Sequence, residues 1–312
     1  MKKFALAAVA AAAMTGGVAH AYTVGTYSDG FVVPSVELTA NGTTAVGIIN
    51  RTNSVVPVFW VFHDQNSGHV LDGCFPMTAN QYKGVAWGSD LGDASVAGLK
   101  GYLVFAAGVT SSGTAAEAAT VCNTGSVGTN SAALLSANAF QVDTANSDVA
   151  VVPVIDGPLT LRGAPYNNLK DLSETSLVSI AGAAQVTPGT GPVITARYAK
   201  GVAGASTVVN VWSTGDHSGR HTVDIYNSQQ QRTSTNFVLT KAELDLFDPS
   251  TMVGTTAFTD GFIEWNAGKV PANFKSVNGE SALGTTSGSV FVYSTISLPA
   301  FGAVQTLLGA TQ

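Results

Sequence analysis

The chain has 312 residues, of which only 11% are charged, against roughly 25% in ordinary soluble domains. Fourteen basic residues face twenty acidic ones, a net charge of −6, so the basic footprint of a nucleic-acid binder is missing, as is a basic stripe for anionic lipid. No segment after the first 21 residues offers about 20 uninterrupted apolar residues, so no helical membrane span is expected.

Lys2 and Lys3, the apolar run Phe4 to Met14 and the small-residue site Ala19-His20-Ala21 read as a Sec-type signal peptide over residues 1–21. Its removal leaves a mature chain starting at Tyr22, with 12 basic against 20 acidic side chains and a net charge of −8. Export places the protein outside the cell, on its surface or in a periplasm.

The mature chain reads as strands separated by Gly, Asn and Pro turns. Phe31 to Leu38 is a first strand, moved toward a sheet edge by Pro34. Asn41-Gly42 signals a tight turn into a second strand, Thr43 to Asn50. Val55 to His63 is apolar on both faces, as a strand covered on two sides would be, and returns through Asp64–Gly68 as His69 to Met77. Gly98 to Phe105 follows. Thr114…Glu117 has the spacing of a helix cap, with a short helix ending near Cys122. Ser131 to Ala139 is expected to form a further helical turn or two, and Phe140 to Ile155 a last strand. The turn-rich segment Asp156 to Asp171 marks a boundary, dividing the chain into a first unit over 22–165 and a second over 166–312. In the second, strands are expected over Ser176–Ala184, Val193–Tyr198, Thr207–Trp212, His221–Tyr226, Arg232–Leu239, Phe262–Trp265 and Ser289–Pro299.

A weak internal echo organises this list. Val55 to Phe105 returns at Thr222 to Trp265: both copies have a strand, a polar turn, a return strand and a Thr-x-x-Gln/Glu box (Thr78…Gln81, Thr240…Glu243). Gly101-Tyr-Leu-Val-Phe-Ala-Ala-Gly108 is answered by Gly261-Phe-Ile-Glu-Trp-Asn-Ala-Gly268, at an offset of 160 residues against 162 at the threonines. The fold class is therefore mainly β: two tandem, similar antiparallel β-sandwich-like units with short helical turns.

Cys74 and Cys122 are the only cysteines, and after export they form an expected disulfide. It would stabilise by about 4 kcal/mol on the chain-entropy argument. Asn236 stands where Cys74 would fall in the second unit, so the link is private to the first.

Chemistry is sparse. His63, His69 and Asp72 sit across a hairpin and are candidates for a metal site, with His217 and His221 near the second turn. Asp64–Gly68 is a poor calcium loop, since Phe75 stands where a bidentate Glu is required. Ser213, Asp216 and His217 are close in sequence, and Glu37, Asp224, Asp260 and Glu264 are the carboxylates a glycosidase would draw on. No nucleophile elbow, zincin helix or phosphate loop occurs. Trp60 and Trp265 lie in apolar strands; Trp87, in a loop-like context, is the candidate for a ligand or glycan contact.

The expectation is a non-enzymatic structural protein without a cofactor. It self-associates through sheet edges or terminal strand addition, with Tyr22–Leu38 and Ser289–Leu308 as candidate donors. The alternative is a secreted carbohydrate- or ligand-binding module.

Overall fold

The computed structural model describes residues 23–124, 128–145, 147–162, 169, 176–186, 191–201, 204–252, 258–267 and 288–312. The signal segment 1–21 and half of the Asp156–Asp171 boundary lie outside them.

In the first half, β1 (Gly30–Thr39), β2 (Gly42–Asn50), β3 (Val56–Asp64), β4 (His69–Met77), β5 (Tyr82–Ala86), β6 (Lys100–Ala107), β7 (Leu135–Asp143), β8 (Asp148–Val152) and β9 (Ile155–Asp156) form a folded-over antiparallel sheet. One layer runs β4–β3–β6–β1–β9 and the other β5–β2–β7–β8. β1 belongs to both: it pairs with β6 along its length and with β2 at the Asn41-Gly42 turn. The register slips between Val33 and Val36, so Pro34 sits at a bulge inside the sheet and not at an edge. Both positions accommodate a residue without a backbone donor.

A connector of β10 (Leu159–Leu161), β11 (Leu177–Ile180) and β12 (Ala184–Val186) leads to the second half. There β13 (Val193–Ala199), β14 (Ser206–Ser213), β15 (Gly219–Asn227), β16 (Arg232–Leu239), β17 (Leu244–Phe247), β18 (Asp260–Asn266), β19 (Gly288–Leu298), β20 (Ala303–Leu308) and β21 (Ala310–Thr311) repeat the plan. One sheet is β16–β15–β18–β13–β21 and the other β17–β14–β19–β20, with β12 beside β19. Each pairing of β1 to β9, the β1–β2 turn pairing apart, has its counterpart twelve strands on: two tandem units of one antiparallel sandwich plan.

Local chemistry repeats with the plan. The buried Thr44 hydroxyl bridges the backbone N–H and carbonyl of Glu37, and the buried Thr207 hydroxyl does the same at Ala199. The β3–β4 turn is closed by Asp64 Oδ1 accepting from the N–H groups of Asn66 and Gly68, with Ser67 at φ 59°. The β15–β16 turn is closed by Asn227 Oδ1 accepting from Gln229 and Gln231, with Gln230 at φ 64°. An Asx side chain supplies the same two acceptances in each. Asp64–Gly68 is thus a hairpin turn. The echoed glycines have one steric reason: a Cβ on Gly101 would lie 2.0 Å from the His63 carbonyl oxygen, and one on Gly261 1.8 Å from that of Tyr226.

Three expectations are corrected. The segment over Ser131–Ala139 contributes strand β7 instead of helix, because Leu135, Ala137 and Ala139 alternate into the core. Thr78…Gln81 starts no helix; Gln81 Oε1 takes the Thr78 N–H at 2.6 Å and turns the chain into β5. In the second copy Asp245, not Glu243, receives the Thr240 N–H. The expected helix does form as α1 (Ala115–Thr124), with the Glu117 N–H donated to the Thr114 hydroxyl.

The core has two parts. One fills the first sandwich, around Phe31, Phe62, Phe105 and Leu103. The other fills the second and continues onto the outer face of the β4–β3–β6–β1–β9 layer, where Val32, Phe59, Val61, Tyr102, Val104 and Ala106 are buried. That layer is covered on both sides, which is why β3 carries no polar alternation.

Candidate functional site

Cys74 and Cys122 form the disulfide, with Cα atoms 5.2 Å apart. It holds α1 against β4, and Val121 of α1 joins the core beneath.

The histidines serve structure. His63 is buried, stacked on Tyr102 at 5.1 Å, with Nδ1 3.2 Å from the Ser67 carbonyl. His69 pairs with Asp72 at 3.2 Å on the half-exposed side of β4. His63 and His69 rings stand 6.3 Å apart, and no group of three or more His, Cys, Asp or Glu residues is gathered for a metal among the described residues. His217 and the Ser213 hydroxyl both reach the Gly215 carbonyl, at 2.9 and 2.6 Å, so the hydroxyl lies on a carbonyl and not on the imidazole. His221 Nε2 donates to the His217 carbonyl at 2.7 Å, wedged between Phe237 and Trp265. Burial lowers the pKa of both, His221 to about 4; they are neutral packing groups at ordinary pH.

Of the carboxylates named from sequence, Asp224 and Glu264 face each other across one ladder, while Glu37 and Asp260 are engaged elsewhere. Glu37 binds Lys100 at 2.9 Å, Asp260 binds Arg197 at 2.9 Å, and Asp224 binds Arg232 at 2.6 Å and also the Ser234 hydroxyl. Glu264 lies opposite Asp224 in the β15–β18 ladder and beside the Tyr226 hydroxyl.

The tryptophans are buried. Trp87, expected in a loop, is 2% exposed, lying against Phe62 at 4.5 Å and edge-on to Trp60 at 6.1 Å. The loop residues around it are small, but Phe62 and Trp60 offer an apolar slot that an indole fills better than water does. Trp60, Trp212 and Trp265 are core residues too. All four tryptophans are thus buried among the described residues, at 8% exposure or less.

What remains is the shape between and beside the sheets. A cleft of about 430 Å³ lies where β7 and β8 meet β19 and β20, lined by Gln141, Asp143, Asp148, Thr295, Ser297 and Val304 among others. The Thr306 hydroxyl donates to the Val151 carbonyl at 2.7 Å and ties the two ribbons together. The second feature is β16. It runs beside β15 in unbroken register from Arg232 to Leu239, and no described strand pairs with its other side. Its exposed positions are Arg232, Ser234, Asn236 and Val238. The sequence does not mark this edge, because strand order is a tertiary property; its one signal is the uninterrupted Thr-Ser-Thr-Asn-Phe-Val-Leu run without Pro, Gly or Lys.

Comparison with known protein families, with curated proteins and with solved structures finds no match to this chain.

Proposed function

We propose that this is an exported structural protein that self-associates through its sheet edges, on the cell surface or in an extracellular assembly. The observation that carries the reading is the outer backbone edge of β16, which no described strand pairs. An unpaired strand presents a row of N–H and C=O groups that another strand satisfies best, and proteins that stay monomeric usually blunt such edges with Lys, Pro or a bulge. β16 has none of these. A surface poor in charge supports the same reading, since association costs less desolvation there. The two terminal segments are less favoured as donors. Gly30–Thr39 and Gly288–Leu308 already pair within the chain's own sheets, so donating them would require opening those ladders.

Size-exclusion chromatography and negative-stain microscopy on the native secreted protein test this. Concentration-dependent oligomers, sheets or fibres are the expected result. A monomer at every concentration would remove the reading.

A second reading, a secreted ligand-binding module, is favoured by the cleft between the units, which has the size of a small-molecule site. A glycan screen in which binding is lost on Gln141→Ala would support it over self-association.

A further inference from the structure

We propose that β16 docks onto β16 of a second copy about a two-fold axis, joining two five-stranded sheets into one of ten strands. This rests on the self-association reading and assigns its partner, surface and symmetry.

The duplication supplies an internal control. β4 is the counterpart of β16, and its edge is interrupted by a register slip and a proline, while α1 covers the strand from its outer face. The β3–β4 register slips at Phe62/His63, Pro76 removes a backbone donor, and the Cys74–Cys122 disulfide holds α1 on that face. In the second unit the same strand has no slip and no proline, and Asn236, opposite Thr222 as Cys74 is opposite Phe59, replaces the tethering cysteine. Among the described residues, one plan has thus been built once with an interrupted edge and once with an edge that is regular and that no strand pairs.

The other described edges are short or engaged. β5, β17, β12 and β21 have five, four, three and two residues. β8 and β20 face each other through the Thr306–Val151 bond. β16 therefore finds its long complementary edge in another β16, and such an isologous contact closes at two copies.

The sequence of β16 tolerates this pairing. A continuous sheet needs opposed residues to point to the same face. Centring on Asn236 achieves that: Asn236 meets Asn236, Thr235 meets Phe237, Ser234 meets Val238 and Thr233 meets Leu239. Each Arg232 then falls opposite Thr240 of the partner copy, where the Asp245 carboxylate receives the Thr240 N–H and hydroxyl. Cation meets anion at both ends, and no like charges are opposed along the strand.

The test uses the full mature chain and the exposed position Asn236. Sedimentation should show the wild type passing from monomer to dimer as concentration rises. Asn236→Lys or Asn236→Asp alone places like charges face to face and should weaken dimerisation on the order of tenfold, with the melting curve and circular dichroism preserved. An equimolar mixture of the two variants should restore the dimer, and Asn236→Cys should give a disulfide between copies under oxidising conditions. Variants that dimerise like the wild type would overturn the proposal, as would larger assemblies that persist unchanged in Asn236→Lys; the latter leaves self-association standing on another surface. A wild type that is monomeric throughout removes both.

Discussion

Asp156 shows how burial sets the behaviour of one residue. Its side chain is inaccessible to solvent, Oδ2 accepts the N–H groups of Gly25 and Thr26 at 2.6 and 3.1 Å, and Oδ1 has no hydrogen-bond partner among the described residues. Desolvation dominates those two bonds and raises the pKa to about 6. The folded state then holds this proton more tightly than the unfolded chain. Stability should fall as pH rises from about 4 to about 6, by roughly 3 kcal/mol if Asp156 acted alone. Urea titrations across that range should show the slope, and Asp156→Asn should flatten most of it. Asp29, also raised by burial, contributes with the same sign. The glycines at 101 and 261 act at the same scale. Either Gly→Ala forces a methyl onto a strand carbonyl that cannot retreat, and each should cost about 1–3 kcal/mol in denaturant unfolding.

Among elements, α1 is the one α-helix among the described residues. It is anchored by the disulfide and by Glu117, whose carboxylate receives the N–H groups of Ser111 and Ser112 and the Ser112 hydroxyl. The Ser112 hydroxyl is the main cause of a Glu117 pKa held down at about 2. That contribution is complete above the ordinary carboxylate range and disappears as pH falls toward 2. Replacing both Cys74 and Cys122 by Ser should lower stability by about 2–4 kcal/mol in a denaturant melt. It should also loosen α1 from β4, giving faster amide exchange in Ala115–Thr124 than in the strands of the first sandwich. Retained protection of α1 would show that its packing on β3 and β4 suffices without the covalent link.

At the scale of the molecule, the two sandwiches are bound by a shared core. Tyr102 of β6 meets Trp212 of β14 edge-on at 5.8 Å, and the β3–β4 turn seats on the second unit, where the Gln65 carbonyl receives the N–H groups of Glu243 and Leu244. Gln65 Nε2 returns a bond to the Leu244 carbonyl at 3.1 Å. With the outer face of one unit serving as the inner wall of a joint core, thermal unfolding should be a single transition. Trp212→Ala should cost about 3–5 kcal/mol and lower the stability of both halves together in hydrogen exchange. Two separated transitions in the wild type would contradict this coupling.

The sequence alone determined whatever depends on local pattern. Period-two stretches and Asn-Gly or Asx turns located most strands, the even pair of cysteines named the disulfide, and the echo at Gly101 and Gly261 exposed the duplication because one backbone approach excludes Cβ in both copies. The two-sided apolarity of β3 already required cover on both faces. Only the tertiary structure decided what contact order hides. Trp87 looked like a loop aromatic until Phe62, distant in sequence, and Trp60 closed over it. Ser131–Ala139 looked helical from its alanines, yet β2 captures Leu135–Asp143 as a strand because the ladder and the core satisfy both its backbone and its alternate side chains. Strand order, and with it the exposure of β16, was illegible for the same reason: an edge is the absence of a neighbour, and local sequence encodes a strand's readiness to pair but not whether a partner arrives.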